Sequence, residues 1–147
     1  MALALSAGWA HACRCFESEV QVKIDHSDVI FRGTITSWRA SERPLIIPPG
    51  VVRDLRKLVV FRVSRVWKGD VGPIFEMPAV EETAACTGFF SDLLKIGTDL
   101  LVYARREGNS SEYYTDICGS HKLSSDAENT DFRKLGPGKI PFLRKPK

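Results

Sequence analysis

No apolar stretch of this chain approaches the roughly 20 residues that cross a bilayer as a helix, so no membrane span is expected. There is no G-x-G-x-x-G run and no P-loop, which removes the enzymes that cradle phosphates on glycine-rich turns. No Ser or Cys stands in a recognisable nucleophile motif. Histidine is scarce, with three residues; His26 and His121 read as isolated, and Glu81-Glu82 reads as a solvated loop. An enzyme is not expected. Internal repeats and low-complexity segments are missing as well, which excludes collagen-like and disordered chains.

What is present describes a soluble globular protein. The 147 residues are 44% hydrophobic and 27% charged, with a mean hydropathy of -0.12. The formal net charge is only +3. Phe132 to Lys147 holds Arg133, Lys134, Lys139, Arg144, Lys145 and Lys147 and no acid, so the remainder is slightly acidic. The basic balance belongs to a tail, read here as solvated and flexible over residues 137–147. A single-stranded nucleic-acid partner is therefore not expected.

Compartment decides what four cysteines mean. Met1 to Ala12, MALALSAGWAHA, carries no Lys, Arg, Asp or Glu and closes on Ala10-His11-Ala12, a pattern that signal peptidases accept. Residues 1–12 are thus expected to be the remnant of an export signal, with a secreted or periplasmic protein beginning at Cys13. Two other readings stay open. The segment could remain as a short apolar strand or helix, or Cys13 could carry a lipid anchor at the cell surface.

Phe16, Val20 and Ile24 recur at helical spacing and suit a short amphipathic helix over Phe16 to His26, although Val20, Val22 and Ile24 also alternate as in a strand. Val29 to Trp38 is rich in β-branched and aromatic residues, and Gly33 inside it suggests a sharp bend. Pro44, Pro48, Pro49 and Gly50 argue against a regular strand between Ala40 and Arg56, which reads as a long exposed hairpin loop. Leu58 to Trp67 is the clearest strand. Pro73 and Pro78 confine any strand near Ile74 to Met77 to an edge. Asp99 to Arg106 and Glu112 to Ile117 read as a hairpin about Gly108-Asn109. Ser125-x-x-Glu128 is a capping box opening a C-terminal helix that Gly136 closes. The fold class is mainly β: a five-stranded, OB-fold-like barrel with a short N-terminal and a C-terminal helix. Phe31, Phe61, Trp67 and Tyr103 are expected in its core.

Cys13-x-Cys15 is too tight for its two sulfurs to bond each other comfortably, so each is expected to reach elsewhere. Cys86 lies in a polar, Gly-flanked loop and Cys118 ends the last strand. Two bridges drawn from three connectivities is the reading for an exported protein. The competing one is a zinc site of Cys13, Cys15, Cys118 and His121, which leaves Cys86 odd and lacks paired CxxC knuckles.

Several segments together resemble a known family. They are Cys13-x-Cys15 after a signal-like stretch, Ser27-Asp28-Val29-Ile30-Phe31-Arg32-Gly33, and Val66-Trp67-Lys68-Gly69. Cys86-x-Gly88-Phe89, Gly97 with Leu101-Val102-Tyr103-Ala104, Thr115-x-x-Cys118 and Leu135-Gly136 follow in order. The chain resembles the N-terminal inhibitory domain of the tissue inhibitors of metalloproteinases, in the shorter bacterial form.

The resemblance implies an OB-like domain over residues 13–136, with Cys13 bonded to Cys86 and Cys15 to Cys118. It also implies an inhibitory ridge of Cys13, Arg14, Cys15 and Phe16 beside Thr83, Ala84, Ala85, Cys86 and Gly88. In that family the free amine and carbonyl of the first cysteine chelate the catalytic zinc of a partner metalloproteinase. No cofactor of its own is then required, the zinc being the protease's, and a monomer is expected. Arg14 stands where the family has a short Thr or Ser, and a cation there suits an acidic pocket. The loop from Ser41 to Arg56 would add peripheral contacts. The alternative is a disulfide-stapled binding or structural module that kept the barrel without inhibiting.

Overall fold

The computed structural model describes residues 19–41, 45–47, 51–53, 57–80, 86–106, 108–123 and 127–142. Helix α1 (Val20–His26) is followed by β1 (Val29–Ala40), β2 (Leu45–Ile47), β3 (Val51–Arg53) and β4 (Lys57–Lys68). Then come β5 (Ile74–Pro78), β6 (Asp99–Ala104), β7 (Ser120–Lys122) and helix α2 (Ala127–Leu135). The protein is mainly β, with one five-stranded antiparallel sheet in the order β5-β4-β1-β6-β7. Among the described residues β5 and β7 are edges with no ladder between them, so this sheet is open where a partly closed barrel is expected from sequence.

β1 and β4 form its spine. Their register shifts between Ile30 and Phe31, Arg32 and Gly33, and Ile35 and Ser37. Each irregularity adds local twist, which coils the long hairpin over the core. Gly33 sits at the second of them. A Cβ there would lie 3.1 Å from the Phe61 Cβ and 3.2 Å from the Phe31 ring, so the glycine is set by close packing as well as by the bend.

Each face of the sheet packs a hydrophobic cluster. Phe31, Ile35, Val59, Phe61, Leu100 and Val102 face one side, with Met77, Phe89, Leu93 and Leu94 closing over them. Phe31 and Phe61 meet edge to face at 5.3 Å between ring centroids, a geometry the ring quadrupoles favour. On the other side Ile30, Leu101, Tyr103 and Leu123 are covered by Ile24 of α1 and by Phe132 and Leu135 of α2. Trp67 is half-buried against the second cluster, while Phe31, Phe61 and Tyr103 are buried as expected.

Two local expectations need correcting, and one open choice between helix and strand is decided. First, the proline-rich connection does contain regular structure: Leu45, Ile46 and Ile47 pair with Arg53, Val52 and Val51. Neither paired triplet contains a proline, so no ladder bond is lost to a missing N–H. Second, Glu112 to Ile117 is not a strand. Tyr114 pairs with Arg105 and Asp116 with Thr87, so its hydrogen bonds divide between two partners and no ladder propagates. The fifth strand is β7, and Cys118 lies in the turn before it instead of ending a strand. Third, within Phe16 to His26 the described helix starts at Val20; Phe16 is outside the described residues. Val20 is buried while Val22 is 45% exposed, so helical spacing wins over alternation.

At the other end, α2 stops where Gly136 adopts φ 74° and its amide donates to the Phe132 carbonyl at 2.9 Å. Ser125 of the capping box is outside the described residues. The chain then returns along β4. Val66 and Lys139 exchange both backbone hydrogen bonds, at 2.8 and 2.7 Å, so the tail begins as a docked segment.

Candidate functional site

Of the ridge expected from sequence, Cys86 and Gly88 are described, as is Cys118, the expected bridge partner of Cys15. Cys13, Arg14, Cys15, Phe16, Thr83, Ala84 and Ala85 lie outside the described residues, as does much of the 41–56 connection.

The structure draws the Cys86 and Cys118 loops together. The Gly88 amide donates to the Thr115 carbonyl at 2.7 Å, and the Ile117 amide donates to the Cys86 carbonyl at 2.9 Å. Between them Thr87 faces Asp116. Cys86 sits at φ 58°, a left-handed conformation that costs a side-chain-bearing residue roughly 1–2 kcal/mol and persists only where its surroundings fix it. Here the two flanking hydrogen bonds do so. Phe89 and Ile117, both fully buried, anchor the pair of loops in the core.

The Cys118 turn is held just as firmly. Its amide donates to the Asp116 Oδ1 at 3.0 Å, and the Gly119 amide donates to the Asp116 carbonyl at 2.9 Å. Buried Thr115 donates its hydroxyl to the Tyr103 carbonyl at 2.8 Å, and the Tyr103 amide donates to the Gly119 carbonyl at 2.7 Å. A Cβ on Gly119 would come within 2.8 Å of that Tyr103 carbonyl, so only glycine lets the turn close onto β6.

Cys86 and Cys118 are both in disulfide linkage, and no described cysteine is a free thiol. A bonded sulfur is not a thiolate ligand, which overturns the zinc site of Cys13, Cys15, Cys118 and His121. Among the described residues no cluster of three or more His, Cys, Asp or Glu could hold a metal ion. Nor is any described helix long and apolar enough to cross a membrane. Beside Cys118 a cavity of about 200 Å³ opens between α1 and the 114–119 loop, lined by Lys23, His26, Arg105, Tyr114 and Asp116.

His121 is not isolated. Its Nε2 lies 3.1 Å from the Lys23 Nζ. That ammonium also reaches the Asp131 Oδ2 at 3.4 Å, and the Tyr103 hydroxyl donates to the same oxygen at 2.9 Å. Asp131 is buried, so its charge is compensated where water cannot reach it. Burial pushes the Tyr103 phenol far up, and the bond to Asp131 adds to it. Burial also lowers the His121 imidazole, helped by the Lys23 charge and opposed by Asp131 and Asp116. Four elements contribute one residue each, and no local spacing in the sequence signals this cluster.

No family model matches the chain, and no curated protein matches it.

Proposed function

We propose that this chain is a secreted or periplasmic inhibitor of zinc metalloproteinases, acting through an N-terminus that begins at Cys13. The observation that carries the reading is the adjacency of the Cys86 and Cys118 loops, both in disulfide linkage and joined by the hydrogen bond from the Ile117 amide to the Cys86 carbonyl. A C-x-C segment can be stapled twice only if its two targets lie side by side, and these do. Cys13 bonded to Cys86 and Cys15 to Cys118 would then lay Cys13, Arg14, Cys15 and Phe16 beside Thr83 to Gly88. The coarse architecture, a five-stranded antiparallel sheet with two short helices, is compatible with that reading.

The chemistry follows from an open coordination site. A catalytic zinc keeps one position for water, and a neutral α-amine with its adjacent carbonyl oxygen fills that position and expels the nucleophile. The amine binds only when unprotonated. Its ordinary pKa of about 7.7–8.0 makes the inhibitor weaker in acid. A doubly stapled ridge loses little conformational freedom on docking. Arg14, the residue after the chelating cysteine, favours a protease whose pocket is acidic.

The test is titration of protein beginning at Cys13 against a panel of zinc metalloproteinases, beside a version with one extra Ala ahead of Cys13. Tight inhibition by the first and none by the second supports chelation. Equal potency overturns the mechanism. Silence across the panel, with intact mass showing four hydrogens lost to two bridges, favours the stapled module that does not inhibit.

A further inference from the structure

We propose that His121 and Lys23 form a pH-sensitive latch that ties α1 to the sheet, closed while the imidazole is neutral and released when it takes up a proton. The inference is independent of the inhibitor reading. Lys23 donates from its ammonium, so the Nε2 of His121, 3.1 Å away, accepts and carries no proton. Protonation turns that acceptor into a donor and sets two cations against each other at hydrogen-bond distance.

Every element packed around the imidazole contributes a charge or a polar group. Lys23 comes from α1, and Tyr103, edge-on at 6.3 Å between centroids, from β6. Asp131 comes from α2 and Asp116 from the turn before β7. The two carboxylates favour the proton, whereas burial and Lys23 disfavour it and prevail.

The mechanical consequence falls on α1 because its grip is slight. Seven residues long, it buries Val20 and half-buries Ile24. Lys23 reaches across to β7 through His121 and to α2 through Asp131. From the body, Lys68 donates to the Ile24 carbonyl at 2.7 Å. Protonation of His121 removes the helix's side-chain tie to β7 and leaves Lys23 held by Asp131 at 3.4 Å and by the Tyr103 ring alone.

Hydrogen exchange of the full chain, corrected for the intrinsic pH dependence of amide exchange, tests this directly. The opening constant of residues 20–27 should rise as pH falls below about 6.5, by no more than tenfold per pH unit for one proton. Amides of β1, β4 and β6 should not follow it. In His121→Gln, which keeps an acceptor for Lys23 and cannot titrate, the rise should vanish. NMR titration of the unaltered protein should place His121 below the ordinary histidine value, and Lys23→Met should move it up. A pH-independent α1, the same rise in His121→Gln, or a His121 that titrates at or above its ordinary value overturns the latch.

Discussion

The indole Nε1 of Trp67 donates to the Gly136 carbonyl at 2.8 Å, while its ring stacks on Phe132 with centroids 5.3 Å apart. One side chain at the end of β4 therefore caps the C-terminus of α2 and receives its apolar face. Trp67→Phe retains the stacking and removes the donor. The orphaned carbonyl should cost about 1–2 kcal/mol, read as a lower urea midpoint with an unchanged slope. Gly138→Ala should cost more than that, because Gly138 has φ 66° and a Cβ would lie 2.9 Å from the same indole.

Tyr103→Phe deletes the hydroxyl that donates to buried Asp131 and leaves the ring in place. A charged acceptor deprived of one donor inside the fold should lower stability by about 1.5–3 kcal/mol. Adding Asp131→Asn should cost less than the two single losses combined, since both act on one network. A double-mutant cycle by chemical denaturation checks this.

Overall stability should fall in mild acid. His121 has a lowered pKa in the folded protein, so between its folded and unfolded values the unfolded chain binds more protons. Stability is therefore full above about 6.5 and declines below it, at no more than about 1.4 kcal/mol per pH unit, until the folded value is passed. Denaturant midpoints at pH 7.5, 6 and 5 should show the decline, and His121→Gln should flatten it.

Gly33→Val places a branched side chain where even a Cβ is 3.1 Å from Phe61. Overpacking of this kind costs about 1–3 kcal/mol, and the loss should appear mainly as a lower melting temperature. The control is Gly97→Ala, which meets nothing within 4 Å but occupies φ 87°, so any loss there is backbone strain alone.

Much of the sheet was legible because its strands alternate or carry unmistakable apolar runs. Val29 to Trp38, Leu58 to Trp67 and the edge position of Ile74 to Met77 all stand, as does the Gly136 helix stop. The failures have a shared cause. Glu112 to Ile117 has strand-like residues, yet its pairing is decided by Arg105 on one side and Thr87 on the other, both chosen by tertiary structure. Within the 40–56 connection, the prolines obscured two short triplets that pair between them. Of the candidate site, the closeness of Cys86 to Cys118 was expected only through family likeness, and it rests on a bridge between distant segments. The Lys23, Tyr103, His121 and Asp131 cluster left no trace, since the contact from Lys23 to Asp131 spans 108 positions.

β6 supplies Leu100, Val102 and Ala104 to one hydrophobic cluster and Leu101 and Tyr103 to the other. Neighbouring residues along six positions of backbone thus hold opposite sides of the sheet. Neither side can melt while the other keeps this strand in place, because losing β6 strips both at once. The sheet should accordingly unfold as one cooperative unit, with superimposable transitions whether Trp67 on one side or the aromatic cluster on the other is followed. α1, which touches only one of the two sides, is the element free to open ahead of it.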